Sequence, residues 1–281
     1  MKILYGQKNF DIVLIGVGAN GSHFLRNLLQ DMSLYGRDMR KNRLLIADGD
    51  KTEEKNIKNQ LFTPEDVGEF KVNALAERYG DHYGIDVLAV PDYITDCDML
   101  ERLFANDGRF KILIGCVDNN RTRQLMHDYF NYVSDLLYVD VGVEGVILKE
   151  ELKDYSYDEM NRMIIGSGFS GQVVVGFKTN GEIILPPICD VYPNVLSDTE
   201  SVFPTQNCTE ILNNPQRLET NKMAAQMANI IMNNLFHTGE IYQQEILFNA
   251  RYGSSNARFI EARTEKYFKE LQAQSKSTAA C

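Results

Sequence analysis

Short apolar runs recur along the first half of the chain, each closed by a turn signal. Asp11–Ile15 (DIVLI) is continuous and β-branched, as a strand buried on both faces should be. It runs into Gly16–Gly21 (GVGANG), then Ser22 and the helical spacing of Phe24, Leu25, Leu28 and Leu29. Arg43–Ala47 (RLLIA) reads as a second buried strand, ending at Asp48, Gly49 and Asp50. Strand, glycine turn, helix and strand make a βαβ unit with a right-handed crossover. Val87–Val90 and Lys111–Gly115 repeat the strand signal, with a helical stretch over Asp98–Phe104 between them, and Leu137–Val141 adds another. This alternation, through about residue 145, predicts an open, mostly parallel sheet with helices on both faces.

The pattern then changes. Residues 149–168 (KEELKDYSYDEMNRMIIGSG) are polar and read as an inserted loop or mobile helix rather than core. Gln172–Phe177, the turn Thr179-Asn180-Gly181 and Glu182–Leu185 predict a hairpin, because Asn-Gly supplies the positive φ of a tight turn. The Pro-rich stretch Pro186–Pro215 reads as irregular. A long helix follows over Glu219–Phe236, with Met223, Met227, Ile230, Ile231 and Leu235 on one face for helix packing or a dimer contact. Glu245–Phe248 with Ala257–Ile260 is a second hairpin. Residues 146–272 thus extend the sheet of residues 1–145 with antiparallel strands and add a substrate-facing surface, within a single domain spanning 1–281. Residues 273–281 read as a loose tail.

Composition narrows the function classes. With 281 residues the chain can bury a full core, and 44% hydrophobic with 24% charged residues is ordinary globular usage. The 29 basic and 39 acidic residues give a net charge of −10, which argues against nucleic acid as the partner. No apolar run is long enough for a membrane span, and the N-terminus lacks a signal-peptide core, so the expected address is the cytoplasm. The 5 cysteines include no CxxC pair and the 4 histidines no metal-ligand spacing, so neither a disulfide framework nor a zinc site is expected.

The glycine turn carries the first chemistry. Gly16 allows the bend, Gly18 lets the backbone approach a phosphate, and Gly21 lets the helix pack close to the strand. The helix N-terminus offers free N–H groups and partial positive charge. Asp48, at the tip of the second strand, is placed to bind a ribose. These features give a Rossmann-like nucleotide site that suits NAD, FAD and ATP equally. Residues 48–71 (DGDKTEEKNIKNQLFTPEDVGEFK) tip the balance, because a dense set of Asn, Lys and Gln serves a reaction that splits ATP at its α-phosphate. Asp118 follows an apolar strand opposite the glycine turn, where a carboxylate would share Mg²⁺ with phosphates.

Taken in order, Gly16–Gly21, Asp48 and Asp50, Asn56–Gln60 (NIKNQ), Asp66–Lys71 (DVGEFK), and Asp118-Asn119 with Arg123 resemble the motifs of the ThiF/MoeB adenylating family. That family activates ubiquitin-like proteins. Gly142 with Gly171-Gln172-Val173 resembles the family's G-x-x-G-Q-V strand, interrupted here by residues 149–168. Size and second half are most similar to the short ThiF-like proteins of bacterial PRTRC-type gene clusters. The resemblance implies ATP and Mg²⁺ as cofactors, and a small ubiquitin-like protein or peptide tail as substrate. It implies that Asp48 binds ribose, that Asn56 and Gln60 line the phosphates, and that Lys71 contacts the α-phosphate. Asp118 would hold Mg²⁺, with Asn20, Asp50 and Asn119 completing the binding set. Pairing of two copies is also implied.

The departures matter as much. The family arginine before Gln60 is Asn59, so the charge that neutralises the leaving phosphates is missing there, and Lys58 lacks the guanidinium fork. Only ten residues precede the first strand, too few for the family's N-terminal arm. Some family members pass the acyl group to a cysteine. Cys208, in Phe203–Thr209 (FPTQNCT), is the candidate acceptor and Cys189 a weaker one. A nucleotide-binding scaffold without turnover is therefore the alternative. An NAD or FAD oxidoreductase, resting on the glycine turn and Asp48 alone, is a third reading.

Overall fold

Strand β1 (Phe10–Ile15) sends Ile12 and Leu14 into one apolar cluster and Val13 and Ile15 into another, so it is buried on both faces. That is the physical reason its sequence is continuously apolar. A computed structural model of the protein, describing residues 1–3, 9–35, 41–203 and 216–278, shows the sheet built around it. Helix α1 (Ala19–Leu34) leads to β2 (Arg43–Ala47), and α2 (Lys71–Tyr83) to β3 (Val87–Val90). Then come α3 (Cys97–Leu103), β4 (Phe110–Gly115), α4 (Asn120–Tyr132) and β5 (Leu136–Val143). The second half holds α5 (Tyr157–Gly166), β6 (Ser170–Thr179), β7 (Glu182–Leu185), α6 (Ile188–Val191), α7 (Asn194–Ser197), α8 (Leu218–Thr238), β8 (Gln243–Asn249), β9 (Ser254–Phe259) and α9 (Ala262–Thr278).

All these strands join one sheet in the order β3-β2-β1-β4-β5-β6-β8-β9, with β7 beside β6. Strands β1 to β5 are parallel, and β6, β7, β8 and β9 pair antiparallel. The fold is therefore the expected Rossmann-like doubly wound sheet, extended by antiparallel strands. Residues of α1, α2, α8 and α9 cover one face and those of α3, α4, α6 and α7 the other. Strand order reverses between β1 and β4, and the carboxyl ends there open the crevice where such sheets bind ligands.

Several boundaries differ from the sequence expectation for physical reasons. Residues 71–83 and 120–132, for which no helix is expected above, are both helices, with Val72, Leu75, Tyr79 and Tyr83 on one and Leu125, Met126, Tyr129 and Phe130 on the other turned to the core. Their buried faces also include Lys71, Thr122, Gln124 and His127. The β6–β7 turn is as expected, with φ +50° at Asn180 and +81° at Gly181. Within residues 149–168, a 3-10 turn (Lys149–Leu152) precedes α5, none of whose residues is buried. The Pro-rich stretch contains the two four-residue helices α6 and α7. Helix α9 continues to Thr278, past residue 273 where a loose tail is expected. Phe268 anchors it edge-on to Phe177, ring centroids 5.4 Å apart.

Candidate functional site

At the end of β1 the chain turns through Gly16 at φ +85°, and a Cβ there would lie 2.7 Å from the Cys116 carbonyl oxygen. A Cβ at Gly21 would overlap the Gly16 carbonyl oxygen, so α1 sits hard against the turn. Gly18 instead has open space where its Cβ would be, and it is the N-cap of α1 without a side-chain cap. The first N–H groups of α1 are thus left for a ligand.

Asp48, just past β2, locks this loop. Its Oδ2 accepts from the Val17 amide at 2.9 Å and its Oδ1 from the Asp50 amide at 2.9 Å. Burial pushes its carboxyl above the usual carboxylate range, against the pull of the Lys71 ammonium. A carboxylate has lone pairs to spare, so these bonds leave capacity for ribose hydroxyls. Lys71, the first residue of α2, is buried, and its Nζ donates to Asp50 Oδ2 at 2.7 Å. Burial opposes the ammonium, but Asp48 and Asp50 beside it raise its pKa and keep it charged. Burial likewise opposes the Asp50 carboxylate, and Lys71 more than offsets this, holding its pKa below the ordinary value. The Tyr93 hydroxyl donates to the other Asp50 oxygen. A Cβ at Gly49 would meet the Tyr93 ring at 2.6 Å.

Three carboxamides complete the loop side. Asn20 Oδ1, Asn59 Oδ1 and Gln60 Oε1 are buried with no hydrogen-bond partner among the described residues. Asn59 and Gln60 follow the 3-10 helix Glu54–Lys58, and the next residue, Leu61, donates its amide to Ser22 Oγ of α1 at 3.4 Å. Buried polar groups are normally satisfied, so these unpaired oxygens beside an open helix N-terminus suit donors such as ribose hydroxyls, and a carboxamide meets a phosphate oxygen only through its NH2. Asn56 is buried and its Oδ1 accepts from the Glu53 amide at 2.8 Å, leaving its amide nitrogen to donate. Lys58 is exposed.

Across the switch point, Asp118 follows β4 with an exposed side chain, within electrostatic reach of both Lys71 and Arg123. No cluster of three or more acidic, histidine or cysteine side chains among the described residues could hold a metal. A Mg²⁺ at Asp118 would therefore draw its other ligands from phosphate oxygens and water, which is how that ion is commonly held. Asn119 Oδ1 caps α4 by accepting from the Thr122 amide at 2.8 Å. Arg123 is tied to Asp140 within the protein.

The cysteines divide sharply. Cys116 and Cys189 are buried free thiols, and burial pushes Cys189 up to about 12 and Cys116 further. Burial disfavours the thiolate at both, which counts against Cys189 as an acyl acceptor. Cys208 lies outside the described residues. Sequence reasoning misses Tyr93, Tyr138 and Asp140. Only Asp140 leaves a signal, as a carboxylate in the apolar run Leu136–Val143 (LLYVDVGV).

No helix among the described residues is long and apolar enough to cross a membrane. Among curated proteins, none matches the sequence. Solved structures share the fold. The selenomethionine form of PaaA has a TM-score of 0.55 and 14% identity, over 90% of this chain and 64% of that one. Escherichia coli MccB with ATP has a TM-score of 0.55 and 13% identity, over 90% and 64%. The microcin C7 biosynthetic enzyme MccB in complex with N-formylated MccA gives 0.55 and 13%, over 89% and 64%. This chain spans less than two thirds of the length of those proteins. The model of the ThiF family matches residues 6–268. The chain belongs to the ThiF family.

Proposed function

We propose that the protein is an ATP- and Mg²⁺-dependent adenylyltransferase that activates the C-terminal carboxylate of a small ubiquitin-like protein or a peptide. The observation that carries this reading is the convergence at the switch point of an open α1 N-terminus, a buried charged Lys71 and the exposed Asp118. MccB, which shares the fold, is crystallised both with ATP and with MccA, and this supports a carboxylate-bearing peptide as the substrate class.

Asp48 orients the ribose, and the α1 N–H groups with Asn20, Asn56 and Gln60 hold the phosphates. Lys71 leaves Asp50 for an α-phosphate oxygen and stabilises the charge that builds there. The incoming carboxylate oxygen bonds to the α-phosphorus as the bond to the bridging oxygen breaks. Pyrophosphate departs with that electron pair, and the acyl-adenylate remains. Mg²⁺, when bound at Asp118, supplies charge neutralisation for the phosphates. The extended form adds a second transfer, in which the Cys208 thiolate attacks the acyl carbon, a thioester forms and AMP leaves. Pairing of two copies and a cytoplasmic address belong to the same reading.

Asn59 favours one rival. It brings no positive charge to the leaving phosphates and Lys58 beside it is exposed, so the protein would bind nucleotide as a scaffold without turnover. Thermal shift with ATP, NAD and FAD, followed by ATP–pyrophosphate exchange with carboxylate partners, separates the readings. Exchange supports the adenylyltransferase. ATP binding without exchange favours the scaffold, and a shift with NAD or FAD alone overturns both.

A further inference from the structure

Arg123 lies in the first turn of α4 with its side chain 11% exposed, and its guanidinium gathers the chain on both sides of Asp118. Nη2 donates to the Val117 carbonyl at 2.6 Å and the Val141 carbonyl at 3.4 Å. Nη1 donates to Asn120 Oδ1 at 3.3 Å, and Nε to Asp140 Oδ1 at 3.2 Å. Asp140 is wholly buried in β5, and its second oxygen accepts from the Tyr138 hydroxyl at 2.9 Å. The space is tight, since a Cβ at Gly115 would lie 3.3 Å from Asp140 Oδ2 and 2.7 Å from Met126 Cε. A buried ion pair costs desolvation that its attraction often fails to recover, so stability alone is a weak reason to keep one. This pair does something a hydrophobic replacement cannot, because it fixes residues 117 and 120 and the ends of β4 and β5 to one rigid fork.

We infer that the Tyr138–Asp140–Arg123 network is a positioning device for Asp118, holding its loop so that the exposed carboxylate keeps its place opposite Lys71. The inference rests on the reading of Asp118 as the Mg²⁺ carboxylate. Arg123, Asp140 and Tyr138 act here as residues behind the ligand, orienting it without touching the ion.

Two variants test it on the full chain, Arg123→Lys, which keeps the charge but loses the fork, and Tyr138→Phe, which removes one bond at constant volume. Calorimetry measures ATP binding with and without Mg²⁺, and amide hydrogen exchange follows residues 117–121 without ligand. Metal-free ATP affinity should stay near that of wild type. The Mg²⁺ concentration that half-saturates the enhancement of ATP binding should rise about tenfold in Arg123→Lys and less in Tyr138→Phe. Exchange should quicken at residues 117–121. An unchanged Mg²⁺ requirement in the folded variants overturns the inference, and if Arg123→Lys does not fold, Tyr138→Phe decides alone. Should the wild type bind no ATP, the adenylation reading fails separately, and the exchange rates still decide whether the network holds the loop.

Discussion

Lys71 Nζ lies 2.7 Å from Asp50 Oδ2, with the lysine side chain 7% exposed and the aspartate 45%. A buried ammonium held by a half-exposed carboxylate is a charge kept ready, because the phosphate of a ligand can replace Asp50 without further desolvating Lys71. Lys71→Met should therefore lower the pyrophosphate exchange rate by about 10²-fold or more, the usual cost of losing a charge-stabilising donor. ATP affinity should fall less than the rate. A rate loss matched by the affinity loss would mean that Lys71 only binds nucleotide.

Asn59→Arg restores a guanidinium where the leaving phosphates need one. Turnover in the exchange assay should rise by about tenfold, in line with one added charge-assisted hydrogen bond. Unchanged turnover with unchanged ATP binding would place residue 59 away from the reacting phosphates.

Gly21 permits the closest approach in the loop. Gly21→Ala would press a methyl into the Gly16 carbonyl and should cost about 3 kcal/mol in urea unfolding. Gly18→Ala meets open space and should cost under about 1 kcal/mol while weakening ATP binding.

His23, on the buried face of α1, has its pKa pushed down to about 4 by burial and by the nearby Arg26 and Lys222 charges. The unfolded chain binds the proton near the ordinary 6.5. Stability is thus complete above that value and falls as pH drops from 6.5 towards 4. The loss is about 2 kcal/mol once partial solvation is allowed for. His23→Gln should flatten urea-derived stability against pH in that window, and an unchanged slope would show that other groups set it.

These predictions rest on features that the sequence revealed unequally. Strands β1 and β2 are plain from residues alone, because burial on both faces demands continuous apolar runs. The Asn180-Gly181 turn is plain because its φ values are positive. The order of Gly16, Asp48, Lys71 and Asp118 is visible as spacing. That Asp48 clamps the Val17 amide while Lys71 is paired to Asp50 is not, since side-chain partners follow from the folded positions of three separate loops. Helices α2 and α4 do carry a signal, in Val72, Leu75, Tyr79 and Tyr83 and in Leu125, Met126, Tyr129 and Phe130, but Lys71, Thr122, Gln124 and His127 among their buried residues are visible only in the fold. Tyr93 and Tyr138 fall in no motif, and only packing shows that both serve aspartates.

The cysteine question has a simple discriminator. Alkylation of the native protein at pH 8 should leave Cys116 and Cys189 unmodified, since both are buried and burial raises both thiols. Cys189→Ala should leave exchange at the wild-type rate. An acyl-thioester that survives in Cys189→Ala and disappears in Cys208→Ser would support the transfer step.

The central claim is adenylation at the crevice between β1 and β4, and ATP–pyrophosphate exchange tests it most directly. With Mg²⁺ and a peptide or ubiquitin-like carboxylate, labelled pyrophosphate should enter ATP. Amidation of that carboxylate should abolish exchange, and Asp118→Asn should lower it by about 10²-fold. A protein that binds no ATP and exchanges no pyrophosphate with any such carboxylate would contradict the account.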